Sequence, residues 1–96
     1  MSKVFCVYIL TNAGDNVLYT GITGNILKRL NEHKTKAVKS FSSKYNLNKL
    51  VYYEVYQDAI TAIEREKQIK KYGRLKKREL IKNFNPQFKD LTNTLV

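Results

Sequence analysis

Val4-Phe5-Cys6-Val7-Tyr8-Ile9-Leu10, then Thr11-Asn12-Ala13-Gly14-Asp15-Asn16, then Val17-Leu18-Tyr19-Thr20-Gly21-Ile22: these three consecutive stretches decide the fold. The first and third are dense in β-branched and aromatic residues, which pack well on a pleated surface and read as strands over 4–10 and 17–22. The six residues between them are Asn, Asp and Gly rich, the types that tolerate the left-handed backbone of tight reversals. Two strands joined so closely form an antiparallel hairpin. Gly21 sits inside the second strand, where a glycine often marks a close approach by another group. Tyr8 and Tyr19 fall on the two strands, and packing alone is a sufficient reason for tyrosine in a strand.

Outward from the hairpin, Thr23-Gly24-Asn25 breaks the pattern, and Asn25 suits a helix N-cap. Ile26, Leu27 and Leu30 recur at helical spacing over 26–34. Residues 35–48 are polar and basic and read as a loop with Phe41 and Tyr45 as isolated anchors. Residues 50–56 form a third strand rich in Val and Tyr. Asp58 or Thr61 opens the next helix, with Ala59, Ala62, Ile63 and Ile69 as its apolar positions and Gly73 as its stop. A last helix over 75–83 carries Leu80 and Ile81 and ends before Asn85-Pro86. The order β-β-α-β-α-α defines an α+β protein, a small three-stranded antiparallel sheet flanked by helices.

The chain has 96 residues, and 43% apolar types suffice for one modest core, so residues 1–96 are expected to form a single domain. No run reaches the roughly 18 apolar residues of a membrane span. The lone Cys6 offers neither an internal disulfide nor a cysteine-based zinc cluster. A cytoplasmic protein without membrane partners is the expectation.

The formal net charge is +10, and on so small a body such an excess offsets a polyanionic partner. Residues 65–82 carry nine basic and two acidic side chains, and residues 28–49 carry seven and one. Both stretches follow strands, so folding can bring them to one surface. Lys28, Lys67, Lys70, Lys71, Arg74 and Lys77 are the candidates for backbone-phosphate contacts. A solvated helix face accounts for any one of them alone.

Arg29 and His33 are four residues apart, on one helix face beside Ile26 and Leu30. An arginine there borders a pocket rim, and its planar fork suits a phosphate. His33 is the only histidine, so a two-histidine zinc site is excluded. In the second helix, Thr61-Ala62-Ile63-Glu64 fits a capping box and gives Glu64 a local role. Glu66 lies three residues from both Ile63 and Ile69, on the apolar stripe. A carboxylate facing inward needs either a basic side chain or a metal. Mg²⁺ often takes a single protein carboxylate and keeps most of its water.

Cys6-Val7-Tyr8 and Tyr19-Thr20-Gly21, with ten residues between the two tyrosines, resemble the paired tripeptides of the GIY-YIG nucleases. Arg29, eight residues after Gly21, then His33, Glu66 within Arg65-Glu66-Lys67-Gln68-Ile69-Lys70, and Asn85-Pro86 continue the likeness over nearly the whole chain. It is strongest to small stand-alone members, themselves similar to the N-terminal nuclease domain of the DNA-repair excinuclease. The resemblance implies a metal-dependent endonuclease that hydrolyses DNA phosphodiesters, in repair or in processing of damaged or branched DNA. It implies that Tyr8 helps activate the attacking water, Tyr19 assists positioning, and Arg29 holds the scissile phosphate. Glu66 would bind one Mg²⁺ or Mn²⁺, His33 would relay a proton, and Gly21 and Asn85 would be structural. A tyrosine hydroxyl ionises near pH ~10, so nearby positive charge is needed for it to act as a base. Cys6 replaces the first glycine of the pattern, and Ile22 stands where several active relatives carry lysine.

No separate targeting module is legible, so a partner protein supplying specificity belongs to this reading. DNA is the implied substrate; RNA stays open, as does oligomeric state. Two other classes of function compete. One is a non-catalytic nucleic-acid-binding module on the same scaffold. The other is an interaction protein docking through the Tyr52, Tyr53 and Tyr56 strand.

Overall fold

β1 is the strand around which the sheet is built, because its side chains from Cys6 to Thr11 are all buried, on both faces. A computed structural model describes residues 4–35 and 46–95. In chain order the elements are β1 (Phe5–Thr11), β2 (Leu18–Thr23), α1 (Ile26–Thr35), β3 (Lys49–Tyr56), α2 (Ala59–Lys70), α3 (Arg74–Phe84) and a closing 3₁₀ turn (Thr92–Leu95). The sheet order is β2-β1-β3, antiparallel throughout. This is the expected α+β architecture in the expected order. Phe41 and Tyr45, read as anchors of the 35–48 loop, lie outside the described residues.

Alternation along β1 divides the core in two. Val7 and Ile9 face α2 and α3, packing with Ala62, Ile69, Ile81 and Phe88. Cys6, Tyr8 and Leu10 face the other way, with Leu30, Leu47 and Leu50 and, partly buried, Ile26, Tyr19 and Tyr53. The sheet is therefore covered on both faces, α1 on one and α2 with α3 on the other. That arrangement explains why β1 reads as an unbroken apolar run. A bulge between Ile9 and Leu10 shifts the register against β3.

Local chemistry fixes the turns. Asp15, not a glycine, takes the left-handed conformation of the hairpin turn (φ 55°). Asn12 Oδ1 accepts from the backbone N–H groups of Asn16 (3.1 Å) and Val17 (3.4 Å). Lys49 pairs with the Asp15 carboxylate at 2.8 Å, and Arg78 donates to the Asp15 carbonyl at 2.6 Å, tying the turn to β3 and α3. Asn25 caps α1 as expected, its Oδ1 accepting from the Lys28 N–H at 3.1 Å. Leu27 is exposed rather than part of the apolar face, which Ile26 and Leu30 form.

Two sequence expectations fail at helix ends. The cap of α2 is Asp58, whose Oδ2 accepts from the Thr61 N–H (2.8 Å) and hydroxyl (2.7 Å). Thr61 is thus inside the helix and donates, so no capping box joins it to Glu64. Gly73 does not stop α2 in a left-handed conformation. It is the extended N-cap of α3 (φ −67°, ψ 165°), and α2 has already ended at Lys70.

After α3 the chain folds back against β3. The Asn85 amide donates to the carbonyls of Val51 (3.1 Å) and Lys89 (2.8 Å), and its Oδ1 accepts from the Lys89 N–H (3.1 Å). The turn so formed buries Phe88 in a left-handed conformation (φ 52°). Further along, the Leu91 N–H donates to the Leu50 carbonyl at 2.7 Å. No helix among the described residues is long and apolar enough to cross a membrane. Asn85→Ala would strand a buried carbonyl and lose the turn. Chemical denaturation should show a loss of about 1–3 kcal/mol; wild-type stability would contradict the structural role of Asn85.

Candidate active site

Tyr8 stands opposite Gly21 in the β1–β2 ladder, on the face that α1 covers. A Cβ built on Gly21 would lie 2.5 Å from both Cζ and the hydroxyl of Tyr8, and 3.1 Å from Cε1 of Tyr19. The Tyr8 ring therefore lies flat across the glycine, its hydroxyl carried from the central strand to the edge strand. Tyr19, two residues before Gly21 and on the same face, has its ring centroid 6.4 Å from that of Tyr8, tilted by 42°. This is the close approach that the strand glycine signalled. Both sequence-selected tyrosines are brought together by it.

Arg29 is exposed and lines a polar pocket of about 340 Å³ with Thr23, Gly24, Asn25, Lys28 and Glu32. That pocket is not lined by Tyr8, Tyr19 or Glu66. His33 lies in α1, and its side chain is outside the described residues.

Glu66 approaches from α2, which packs on β1 and β2. Its carboxylate is recessed, 13% exposed, and pairs with Lys70 one turn on at 3.0 Å. Lys70 is the basic side chain that the sequence offered as one partner for this carboxylate. The buried stripe of α2 is Ala62 and Ile69; Ile63, taken as part of it, is exposed. Among the described residues, no group of three or more His, Cys, Asp or Glu comes together to form a metal cage.

The electrostatics of the Tyr8 hydroxyl gather these groups. Burial pushes its pKa well above the ordinary tyrosine value, and the neighbouring Tyr19 adds to the rise. Arg29 acts in the opposite direction, while Cys6 and Glu66 raise it further. Desolvation thus outweighs the positive charge that a tyrosine base would need, and the free protein carries Tyr8 as a neutral phenol.

Of the nine basic residues in 65–82, two are absorbed by the fold. Arg65 holds Glu54 of β3 through Nε (2.9 and 3.2 Å) and Nη2 (3.0 Å), and its Nη1 donates to Gln68 and Tyr72. Glu54 also accepts from the hydroxyls of Tyr52 and Tyr56. Burial opposes ionisation of this carboxyl, yet the bonds from Arg65, Tyr52 and Tyr56 hold its pKa below the usual value. This cluster, missed by sequence reasoning, gives the Tyr52–Tyr53–Tyr56 strand partners within the fold. Two of its hydroxyls are turned onto Glu54, and Tyr53 and Tyr52 both pack edge-on against Phe84. Arg78 is the second absorbed cation, over the Phe88 ring as well as on the hairpin turn. Lys28, Lys67, Lys70, Lys71 and Arg74 remain exposed, and Lys77 is half-buried.

This combination of a paired-tyrosine hairpin, an arginine at the rim of the next helix and an inward glutamate defines a class. Residues 4–79 match the GIY-YIG catalytic domain, and the chain belongs to that nuclease-domain family. Among its relatives it is 43% identical over 91 residues to the UPF0213 protein of Syntrophus aciditrophicus, covering 91% of this chain and 98% of that one. It is 39% identical over 75 residues to the UPF0213 protein of Clostridium perfringens, covering 78% and 80% of the two chains. The solution NMR structure of a UPF0213 protein from Bacillus halodurans superimposes with a TM-score of 0.60 at 22% identity, covering 94% of this chain and 95% of that one. At that identity the likeness speaks for the fold.

Gly21→Ala should drive the Tyr8 ring from its place. Thermal denaturation should show a loss of about 1–3 kcal/mol, the usual cost of overpacking, and the Tyr8 ring resonances should move. Unchanged stability with unmoved resonances would contradict the close approach.

Proposed function

We propose that the protein is a divalent-metal-dependent endonuclease that hydrolyses DNA phosphodiester bonds, with processing of damaged or branched DNA as its setting. The observation that supports this reading best is the Tyr8 ring lying across Gly21 beside Tyr19, which carries its hydroxyl to the β2 edge strand, where the charges of Arg29 and Glu66 also act on it.

Arg29, exposed on its pocket rim, would hold the non-bridging oxygens of the scissile phosphate as a bidentate donor. The Tyr8 hydroxyl would orient the attacking water and accept its proton, and Tyr19 would fix the direction of approach. His33 would relay that proton. Glu66 would hold the cation: a single recessed carboxylate fits hydrated Mg²⁺ or Mn²⁺, which need few protein ligands, and does not fit a zinc cage. When bound, such an ion supplies positive charge for the developing phosphoryl oxygens and the leaving oxygen. That charge would also reverse the contribution Glu66 makes to the Tyr8 hydroxyl and favour its ionisation. Lys28, Lys67, Lys71 and Arg74 would track flanking phosphates, a sequence-independent attraction that weakens steeply with salt. A partner protein would supply target choice.

One observation favours the second reading, a nucleic-acid-binding module without turnover: Glu66 already has a counter-ion in Lys70. A nicking assay on supercoiled, single-stranded and branched DNA, at low salt with Mg²⁺ or Mn²⁺, separates the two. The nuclease reading predicts metal-dependent cutting that falls about 100-fold or more in Glu66→Ala, Arg29→Ala and Tyr8→Phe, the scale of a lost acid–base or electrostatic group. Salt-sensitive binding with no cutting at any metal concentration would favour the binding module.

A further inference from the structure

The Glu66–Lys70 pair is asymmetric. The carboxylate is 13% exposed and anchored on the packed face of α2, whereas the ammonium is 52% exposed at the end of a flexible stem. Only the lysine is free to leave. Lys77 supplies the place for it to go. It is half-buried and has no carboxylate partner among the described residues, and its ammonium is held below the usual lysine range by burial and by the charge of Lys70. Lys70 and Lys77 repel one another, and an anion drawn to that charge would relieve the repulsion.

We infer that Lys70 is an exchangeable counter-ion, neutralising Glu66 in the free protein and moving to a backbone phosphate alongside Lys77 when nucleic acid binds. The exchange uncovers the Glu66 carboxylate for a divalent cation at the moment a phosphate is in place. Polyanion and cation binding are then coupled, and the coupling is reciprocal. An ion pair with one partner half in solvent is weak enough for a phosphate to displace. The inference rests on the nucleic-acid reading of the basic face, and its test does not use cleavage.

The experiment is a double-mutant cycle on the full chain, reading binding of a short fluorescent DNA duplex by anisotropy in EDTA. Glu66→Gln is isosteric and Lys70→Met keeps the aliphatic stem, so both should fold. With the carboxylate neutralised, Lys70 is released to the DNA. Glu66→Gln should bind about fivefold tighter, with a log–log salt slope steeper by about 0.9, one more phosphate contact. In a Lys70→Met background the same substitution should have no effect. Equal tightening with and without Lys70 would mean simple repulsion by Glu66 and would overturn the exchange, as would no tightening at all. A second arm titrates Mn²⁺ by electron paramagnetic resonance without DNA. Lys70→Met should bind Mn²⁺ about fivefold tighter than wild type, and Lys67→Met, the same charge removed from a residue not paired with Glu66, should gain clearly less. Equal or weaker binding by Lys70→Met overturns the inference. A chain that cuts DNA without showing the cycle keeps the nuclease reading and loses this one. A chain that shows the cycle without cutting does the reverse.

Discussion

The Tyr8 ring lying across Gly21 is the contact on which the rest of the site depends. A central strand buried on both faces has no solvent of its own, so a functional group placed on it must reach an edge. Tyrosine is long enough to cross one inter-strand spacing, and only glycine on the neighbouring strand leaves the path open. The register that sets Tyr8 against Gly21 is protected in turn. A slip of one residue would turn Val7 and Ile9 out of their core and bring Cys6, Tyr8 and Leu10 into it. The hairpin turn, held by Asn12 and bound to β3 and α3 through Asp15, defends that register from the far end.

A second constraint places the carboxylate. Glu66 sits recessed on α2, and apolar contact from Ala62 and Ile69 alone leaves the rotation of that helix against the sheet loosely specified. The clamp of Arg65 on Glu54 supplies direction, because a forked guanidinium on a carboxylate is a geometric contact as well as an attractive one. Arg65 and Glu66 are neighbours about 100° apart around the helix, the angle that 3.6 residues per turn gives. Arg65 is held on Glu54 of β3, so Glu66 leaves the helix in a different direction from the clamp.

Much of this was legible in the residues. Strand periodicity gave the hairpin, a glycine inside a strand marked the close approach, Asn25 announced α1, and an inward glutamate stood out on α2. What was not legible depended on competition or on distance. Asp58 and Thr61 both qualify as a cap, and Asp58 wins because its carboxylate accepts two bonds from Thr61 at once. Gly73 reads equally as the end of one helix or the start of another. The cluster around Glu54 joins residues 11 apart from different elements, so no local pattern announces it, and two of nine neighbouring cations proved to be structural rather than available. The pairing of Glu66 with Lys70 was in reach of the helical spacing, but spacing cannot say which of two eligible partners a carboxylate takes.

The proposed function requires that a divalent cation meet this chain at Glu66, beside the two tyrosines. Titrating Mn²⁺ into isotope-labelled protein and following paramagnetic broadening locates the ion without any substrate, because broadening reports distance from it. Early loss of signals from Glu66, Tyr8 and Tyr19 is expected, absent in Glu66→Gln, with the half-buried Glu54 cluster affected later. Broadening centred on Glu54, or unchanged in Glu66→Gln, would contradict a cation site at Glu66.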